Sequence, residues 1–267
     1  MSDSKIKKNV RDAYSDIAKG IKRSCCGDSS CCLYGGSSKA LGYSDGDLKA
    51  VPEGADLGLG CGNPVALASL KDGEIVIDLG SGAGFDSFIA SQRVGITGKV
   101  IGIDMTPEMV EKARENQGKD DFGNIEFRLG EIENLPAEDN IADVVISNCV
   151  INLSTDKPRV FSEIFRVLKP GGRMMVSDIV LLKSLPPGVK NSIAAYVGCI
   201  AGASLKEEYI NIIKFAGFKE VEIIDEAPFP TANLLGQLIN EDYSLSYDML
   251  KQVEASLVSI KVKGLKE

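Results

Sequence analysis

Seven cysteines and no histidine set the chemistry open to this chain of 267 residues. Without imidazole, the commonest general base, the Ser-His and Cys-His nucleophile systems and mixed Cys/His zinc sites are all excluded. The cysteines are Cys25, Cys26, Cys31, Cys32, Cys61, Cys149 and Cys199. Their odd number, and the polar start MSDSKIKKNVRDAYSDIAKG with no apolar leader, point to thiols or ligands rather than a permanent disulfide framework. Cys61 sits in a glycine turn, Gly58-Leu59-Gly60-Cys61-Gly62-Asn63-Pro64, where backbone strain is easily tolerated. Cys149 directly follows the apolar run ADVVISN, and Cys199 lies in an apolar segment. Taken singly, Cys149 or Cys199 reads as a small buried hydrophobe; taken with Cys61 they suggest a soft-ligand site for a thiophilic element. No structural metal is expected from the four N-terminal cysteines. Their two vicinal pairs do not match C-x2-C zinc spacing, and thiol capture, a relay thiol, an exposed redox-sensitive loop and a zinc clip all remain open readings.

A second constellation lies in residues 74–104. The run Ile75-Val76-Ile77 ends in Asp78; Gly80, Ser81, Gly82 and Gly84 form a glycine-dense turn; a helical stretch follows to Val94; and Val100-Ile101-Gly102-Ile103 ends in Asp104. Glycines let the backbone approach a ligand closely at a helix start. Asp104 lies 20 residues past Gly84, where an acid can accept hydrogen bonds from ribose hydroxyls. This strand, turn, helix, strand and acid would hold an adenine-ribose cofactor. Phe85 occupies the place of the third glycine of the dinucleotide pattern, which argues against NAD.

The elements that must position these groups alternate. Thr106 is the expected N-cap and Pro107 the first residue of a helix running to about Gly118. Strands are expected at 125–129, 142–147 and 173–180, and a helix at 158–168 that Lys169-Pro170-Gly171-Gly172 stops. Near-continuous apolar strands between helices predict an α/β fold: a Rossmann-like, mostly parallel sheet with helices on both faces. Residues 1–24 carry Ile6, Val10, Tyr14, Ile17 and Ile21 at helical spacing, for a core-packing helix or a lid, and 25–46 read as an irregular loop. Beyond Pro186 we expect an apolar stretch at 189–202, a helix at 205–216, a strand at 221–224, an irregular or helical insertion at 231–250 and a last strand at 256–262. The expected division is 1–70 as N-terminal helix and cysteine-rich segment, 71–227 as cofactor-binding core and 228–267 as C-terminal extension. A net charge of −8 argues against a nucleic-acid partner. The absence of any apolar run near 18 residues argues against a membrane span, so a cytoplasmic protein is expected.

The stretch VIDLGSGAGFD…VIGIDMTPEMVEKAR resembles the S-adenosylmethionine-dependent methyltransferases of the Rossmann-like class. The resemblance implies that Asp78, Gly80, Ser81, Gly82 and Gly84 surround the methionine and ribose parts of S-adenosylmethionine. It also implies that Asp104 takes the ribose hydroxyls, that Met105, Glu131 and Ile132 lie near adenine, and that Asn148 sits where cofactor and acceptor meet. Trivalent arsenic suits the thiols, because three thiolates can bind it while leaving its lone pair free to take a methyl group, so that no proton need leave arsenic. The local sequences LGLGCGNPVALASL, ISNCVINLSTDKPRVFSEIFRVLKPGG and YVGCIAGAS closely resemble arsenite S-adenosylmethionine methyltransferases. By that resemblance Cys149 and Cys199 would be persistent arsenic ligands and Cys61 the third thiol, active in early binding and a disulfide relay. A cellular thiol reductant such as thioredoxin or glutathione would restore the relay. The implied role is arsenic detoxification. The rival expectations are a methyltransferase of a small organic acceptor and a non-enzymatic protein that binds soft metals through its thiols.

Overall fold

The computed structural model describes residues 2–21, 38, 39, 41–120, 122–229 and 247–267. Both N-terminal cysteine pairs, and the insertion expected at 231–250 as far as residue 246, lie outside the described residues.

The apolar runs become parallel strands β1 (Ile75–Leu79), β2 (Lys99–Asp104), β3 (Ile125–Leu129), β4 (Ala142–Asn148) and β5 (Leu168–Leu181). Two further strands, β6 (Lys219–Pro228) and β7 (Leu257–Leu265), complete one seven-stranded sheet in the order β3-β2-β1-β4-β5-β7-β6. β7 runs antiparallel to both its neighbours. Within the stretch 228–267, β7 thus stands between β5 and β6 and pairs with both. The strand order reverses at β1/β4, where an open α/β sheet forms a crevice at its carboxyl edge.

The helices are α1 (Asp3–Ala18), α2 (Asp45–Lys49), α3 (Pro64–Ala68), α4 (Phe85–Val94), α5 (Pro107–Gln117), α6 (Lys157–Val167), α7 (Pro187–Lys190), α8 (Ile193–Val197), α9 (Lys206–Phe215) and α10 (Tyr247–Glu254). Two apolar layers sandwich the sheet. One contains Ile101, Ile103, Phe161, Ile164 and Tyr209, the other Val76, Phe88, Val100, Val110 and Phe127. A third cluster joins Val10 of α1 to Cys61, Cys149, Cys199, Val253 and Leu257.

Two local expectations are corrected, and a third, Thr106 as N-cap, holds in position without the side-chain bond. The first helix stops at Ala18, and Ile21 lies beyond it, 69% exposed, because Gly20 adopts a left-handed φ of 70°. Thr106 occupies the N-cap of α5, but its side chain makes no capping bond; instead its amide is bound by the Asp104 carboxylate at 2.8 Å. Lys169-Pro170-Gly171-Gly172 does not form a separate turn, since α6 passes directly into β5 at Leu168. The extra residues are taken up as an irregularity in the β4–β5 register between the pairs Ala142/Leu168 and Val144/Arg173.

Candidate active site

A cleft with about 1080 Å³ of atom-free space, part of it open to solvent, lies at the carboxyl ends of β1, β2 and β4. Asp78, Gly80, Ser81, Gly82, Asp104, Met105, Ile132, Asn148 and Cys149 all line it. Gly80 and Gly82 have φ of 62° and 52°. A Cβ on Gly80 would lie 2.4 Å from Val150 Cγ2, whereas one on Gly82 would meet nothing within 4 Å. Gly82 is thus kept bare in a left-handed conformation beside open space, as a backbone cradle requires. Gly84 does not line the cleft. It caps α4 at φ 95°, where a Cβ would strike Phe88 and Phe127 at 2.7 and 2.8 Å, so its role is helix-to-sheet packing.

Asp104 closes the turn from the neighbouring strand. Its carboxylate accepts from the amides of Gly82 at 3.0 Å and Thr106 at 2.8 Å. Three buried acids, Asp78, Asp86 and Asp104, face the cleft. Burial is the first cause that raises the pKa of each, and Asp86 reaches about 6. Asp78 is pushed well above the carboxylate range by burial and then by the nearby charge of Asp86. Such a cleft favours a cationic guest, which stabilises ionised carboxyl groups that burial has stripped of water.

Asn148 ends β4 and holds four partners. Its Nδ2 donates to Asp86 Oδ2 at 2.9 Å, to Gly62 O at 2.9 Å and to the Tyr43 hydroxyl at 3.1 Å, while its Oδ1 accepts from the Cys61 amide at 3.0 Å. The Tyr43 hydroxyl also lies 2.5 Å from Asp86 Oδ1.

The three candidate thiols meet behind this wall. All are buried, and only Cys149 reaches the cleft lining. Cys199 Sγ donates to Cys149 O at 3.1 Å, and Cys61 Sγ lies 3.6 Å from Ser177 O. The sulfurs of Cys61 and Cys149 and a carboxylate oxygen of Asp178 lie within 4.8 Å of one another. Hydrogen bonding with the thiols of Cys199 and Cys61, and then burial, push the Cys149 thiol well above its usual range. Asp178 accepts from Asn152 Nδ2 at 2.9 Å, the Ile179 amide at 3.0 Å and the Tyr209 hydroxyl at 3.0 Å. Burial brings its pKa up to about 7, with Lys157 opposing.

Helix α1 forms one side of the cleft through Lys7 and Tyr14. Lys7 pairs with Glu131 at 2.8 Å and Glu133 at 3.1 Å. Glu131, with Arg11 as a second partner, does not line the cleft; Glu133, two residues on and also paired with Lys7, does. The sequence reading missed Glu133, Tyr43, Asp86, Asp178 and Tyr209. Asp86 had a usable signal, an acid two residues after the last glycine of the turn in the first turn of α4. Tyr43 had none, since it reaches the site from a loop 43 residues away.

A family profile described as "Methyltransferase domain" matches residues 70–217. The chain is 50% identical to an arsenite methyltransferase of Halobacterium salinarum, over 80% of this chain and 57% of that protein. It is 35% identical to an arsenite methyltransferase of Aquipseudomonas alcaligenes, over 72% of this chain and 58% of that protein. The chain thus spans less than three-fifths of the length of these two curated relatives. Among solved structures, an arsenic(III) S-adenosylmethionine methyltransferase from Chlamydomonas reinhardtii superposes with a TM-score of 0.66 and 32% identity, covering 85% of this chain and 73% of that one.

Proposed function

The chain belongs to the methyltransferase-domain family, and from that premise we propose that it methylates trivalent arsenic held by its own thiols, with S-adenosylmethionine as methyl donor. The observation that carries this reading is the convergence of Cys61 and Cys199 on Cys149, the one of the three that opens into the glycine-turn cleft. The names of the relatives agree with it.

The cleft suits the donor. Gly82 leaves room at the turn, Asp104 stands at the end of β2, and three buried acids line a cleft for a ligand that carries a sulfonium and an ammonium charge. When bound, S-adenosylmethionine supplies an electrophilic methyl group to the arsenic lone pair. The chain's residues provide the rest. Arsenite arrives as neutral As(OH)3, and each thiol that replaces a hydroxyl gives up its proton with that hydroxyl as water. A neutral reagent meets neutral thiols and a neutral tris-thiolate results, so arsenite binding buries no net charge. The raised pKa of Cys149 fits this, because a thiol kept protonated avoids three adjacent anions in a dry pocket. Met105 packs against the thiol cluster and also lines the cleft, which helps to exclude water between the two halves. Two thiols closing to a disulfide would supply the two electrons that return arsenic to the trivalent state. Cys61 is the expected partner, and a cellular thiol such as thioredoxin or glutathione would reopen the bond. Free thiols in this role suit a cytoplasmic setting, and no helix among the described residues is long and apolar enough to cross a membrane.

The test is direct. Purified protein with methyl-labelled S-adenosylmethionine, a thiol reductant and arsenite should yield labelled methylarsenicals, and Cys149→Ser should yield none. If no methylarsenical forms and Cys149→Ser leaves methylation of a small organic acceptor intact, the arsenic reading is wrong.

A further inference from the structure

Asn148 was expected where cofactor and acceptor meet, and two of its four side-chain hydrogen bonds run into the segment that bears Cys61. Its Oδ1 accepts from the Cys61 amide, and its Nδ2 donates to the carbonyl of Gly62 and to the Asp86 carboxylate. The side chain thus grips the backbone on both sides of the Cys61 side chain, with Asp86 as its anchor on α4. The turn is shaped for this grip. A Cβ on Gly60 would lie 2.6 Å from Asn148 Nδ2, and one on Gly62 would lie 2.0 Å from Ser177 Oγ. Neither glycine has a φ in the left-handed region, so clearance from Asn148 and Ser177, rather than backbone freedom, is what their missing side chains provide. The only other side-chain bond to the Cys61 backbone among the described residues comes from Ser259 Oγ to its carbonyl at 2.9 Å.

We infer that Asn148 is a positioning residue for the acceptor site: it fixes the Cys61 turn so that the Cys61 thiol stands against Cys149 as the third sulfur. This rests on the arsenic reading above. It separates two tasks within one thiol cluster. Cys149 and Cys199 are joined through Cys199 Sγ and the Cys149 carbonyl, without help from Asn148. Cys61 comes from a different part of the chain and reaches them only through the clamped turn.

The chemistry of the arsenical distinguishes the two tasks. Arsenite can take three thiolates, whereas phenylarsine oxide, with one valence filled by carbon, takes two. Both would be titrated against the 267-residue chain in which Cys25, Cys26, Cys31 and Cys32 are serine. Arsenic–sulfur coordination number would be read by X-ray absorption. The parent should bind arsenite through three sulfurs. Asn148→Ala should lose arsenite affinity by about tenfold, the size of one or two lost buried hydrogen bonds. It should shift arsenic toward two sulfurs, as Cys61→Ser should, and keep phenylarsine oxide affinity within about threefold. Gly60→Ala presses on the same contact from the opposite side and should give the same split, which covers the case of a poorly folded Asn148→Ala. Three-sulfur arsenic and unchanged affinity in both variants would overturn the inference, and so would parallel loss of both arsenicals. A parent that binds arsenite without these sulfurs would instead overturn the arsenic reading itself.

Discussion

Acidification should weaken cofactor binding while it strengthens the empty protein. Asp86 is buried, its pKa is raised to about 6, and it faces the cleft. At pH 7.5 it is about 97% ionised and at pH 5 about 9%. If the ionised form alone attracts the cationic donor, the dissociation constant of S-adenosylmethionine rises about tenfold between those pH values, with a slope of one per pH unit below 6. Stability moves the opposite way. An acid whose folded pKa lies above its unfolded value binds its proton more readily when folded, so the folded state gains as pH falls from the folded toward the unfolded pKa. For Asp86 the gain between pH 7.5 and 5 is about 1 kcal/mol, and for Asp178, raised to about 7, it is about 2–3 kcal/mol. Asp78 and Asp104 are shifted in the same direction. The salt-bridged Glu108 and Glu126, held down to about 2, lose their contribution only below this window. Calorimetric titration of S-adenosylmethionine at pH 7.5, 6.5, 5.5 and 5, beside urea unfolding of the empty protein, measures both trends. Asp86→Asn should flatten the binding slope. A dissociation constant that is constant or falls on acidification, an unchanged slope in Asp86→Asn, or a stability that drops between pH 7.5 and 5 would each refute the reasoning.

Glycine substitutions in the turn should separate binding from folding. Gly82→Ala meets open space and should cost only the left-handed backbone term, about 1–2 kcal/mol, while cofactor affinity falls about tenfold or more; calorimetry and thermal melts distinguish these. Gly80→Ala runs into Val150 and should lose several kcal/mol in the same melt. Tyr209→Phe removes a donor from the buried Asp178 carboxylate and should destabilise by about 1–3 kcal/mol in urea titration at pH 8, with a smaller loss at pH 5, where Asp178 is protonated and can itself donate. Cys149 should resist alkylation by iodoacetamide in the native protein up to pH 8, because its thiol is buried and its pKa raised; rapid labelling read by peptide mass would contradict the geometry.

The central fold was legible because its strands are buried on both faces. Ile75-Val76-Ile77, Val100-Ile101 and Ala142–Asn148 are apolar runs that alternation cannot describe but a doubly covered parallel sheet requires. Residues whose meaning depends on distant partners were not legible. Glu131 and Glu133 differ in no local feature; both pair with Lys7 of α1, a helix more than 100 residues earlier in the chain, and only the folded arrangement puts Glu133 and not Glu131 on the cleft. Nothing in the 257–265 run announces that it enters between β5 and a strand that precedes it in the chain, because a pairing partner is a property of topology rather than of composition.

The cysteines mark the boundary between the two kinds of information. Their neighbourhoods identify which thiols to consider, but their meeting depends on backbone angles that L-residues seldom adopt. Cys149 and Cys199 both have left-handed φ, 59° and 63°. Each such residue costs about 1–2 kcal/mol relative to the common regions, and neither position is occupied by the glycine that would avoid the cost. The Cys149 amide is held by Ser177 O at 2.8 Å, and the Cys199 amide by Tyr196 O at 2.9 Å. Strain of this kind persists where surrounding structure over-determines it, and it concentrates at functional sites. Replacement of either cysteine by glycine should therefore relieve backbone strain while it removes the sulfur, and replacement by alanine should not. A stability difference in favour of glycine at 149 and 199, the reverse of the usual order in urea titration, would show that these positions are kept as cysteine for their sulfur and against their backbone.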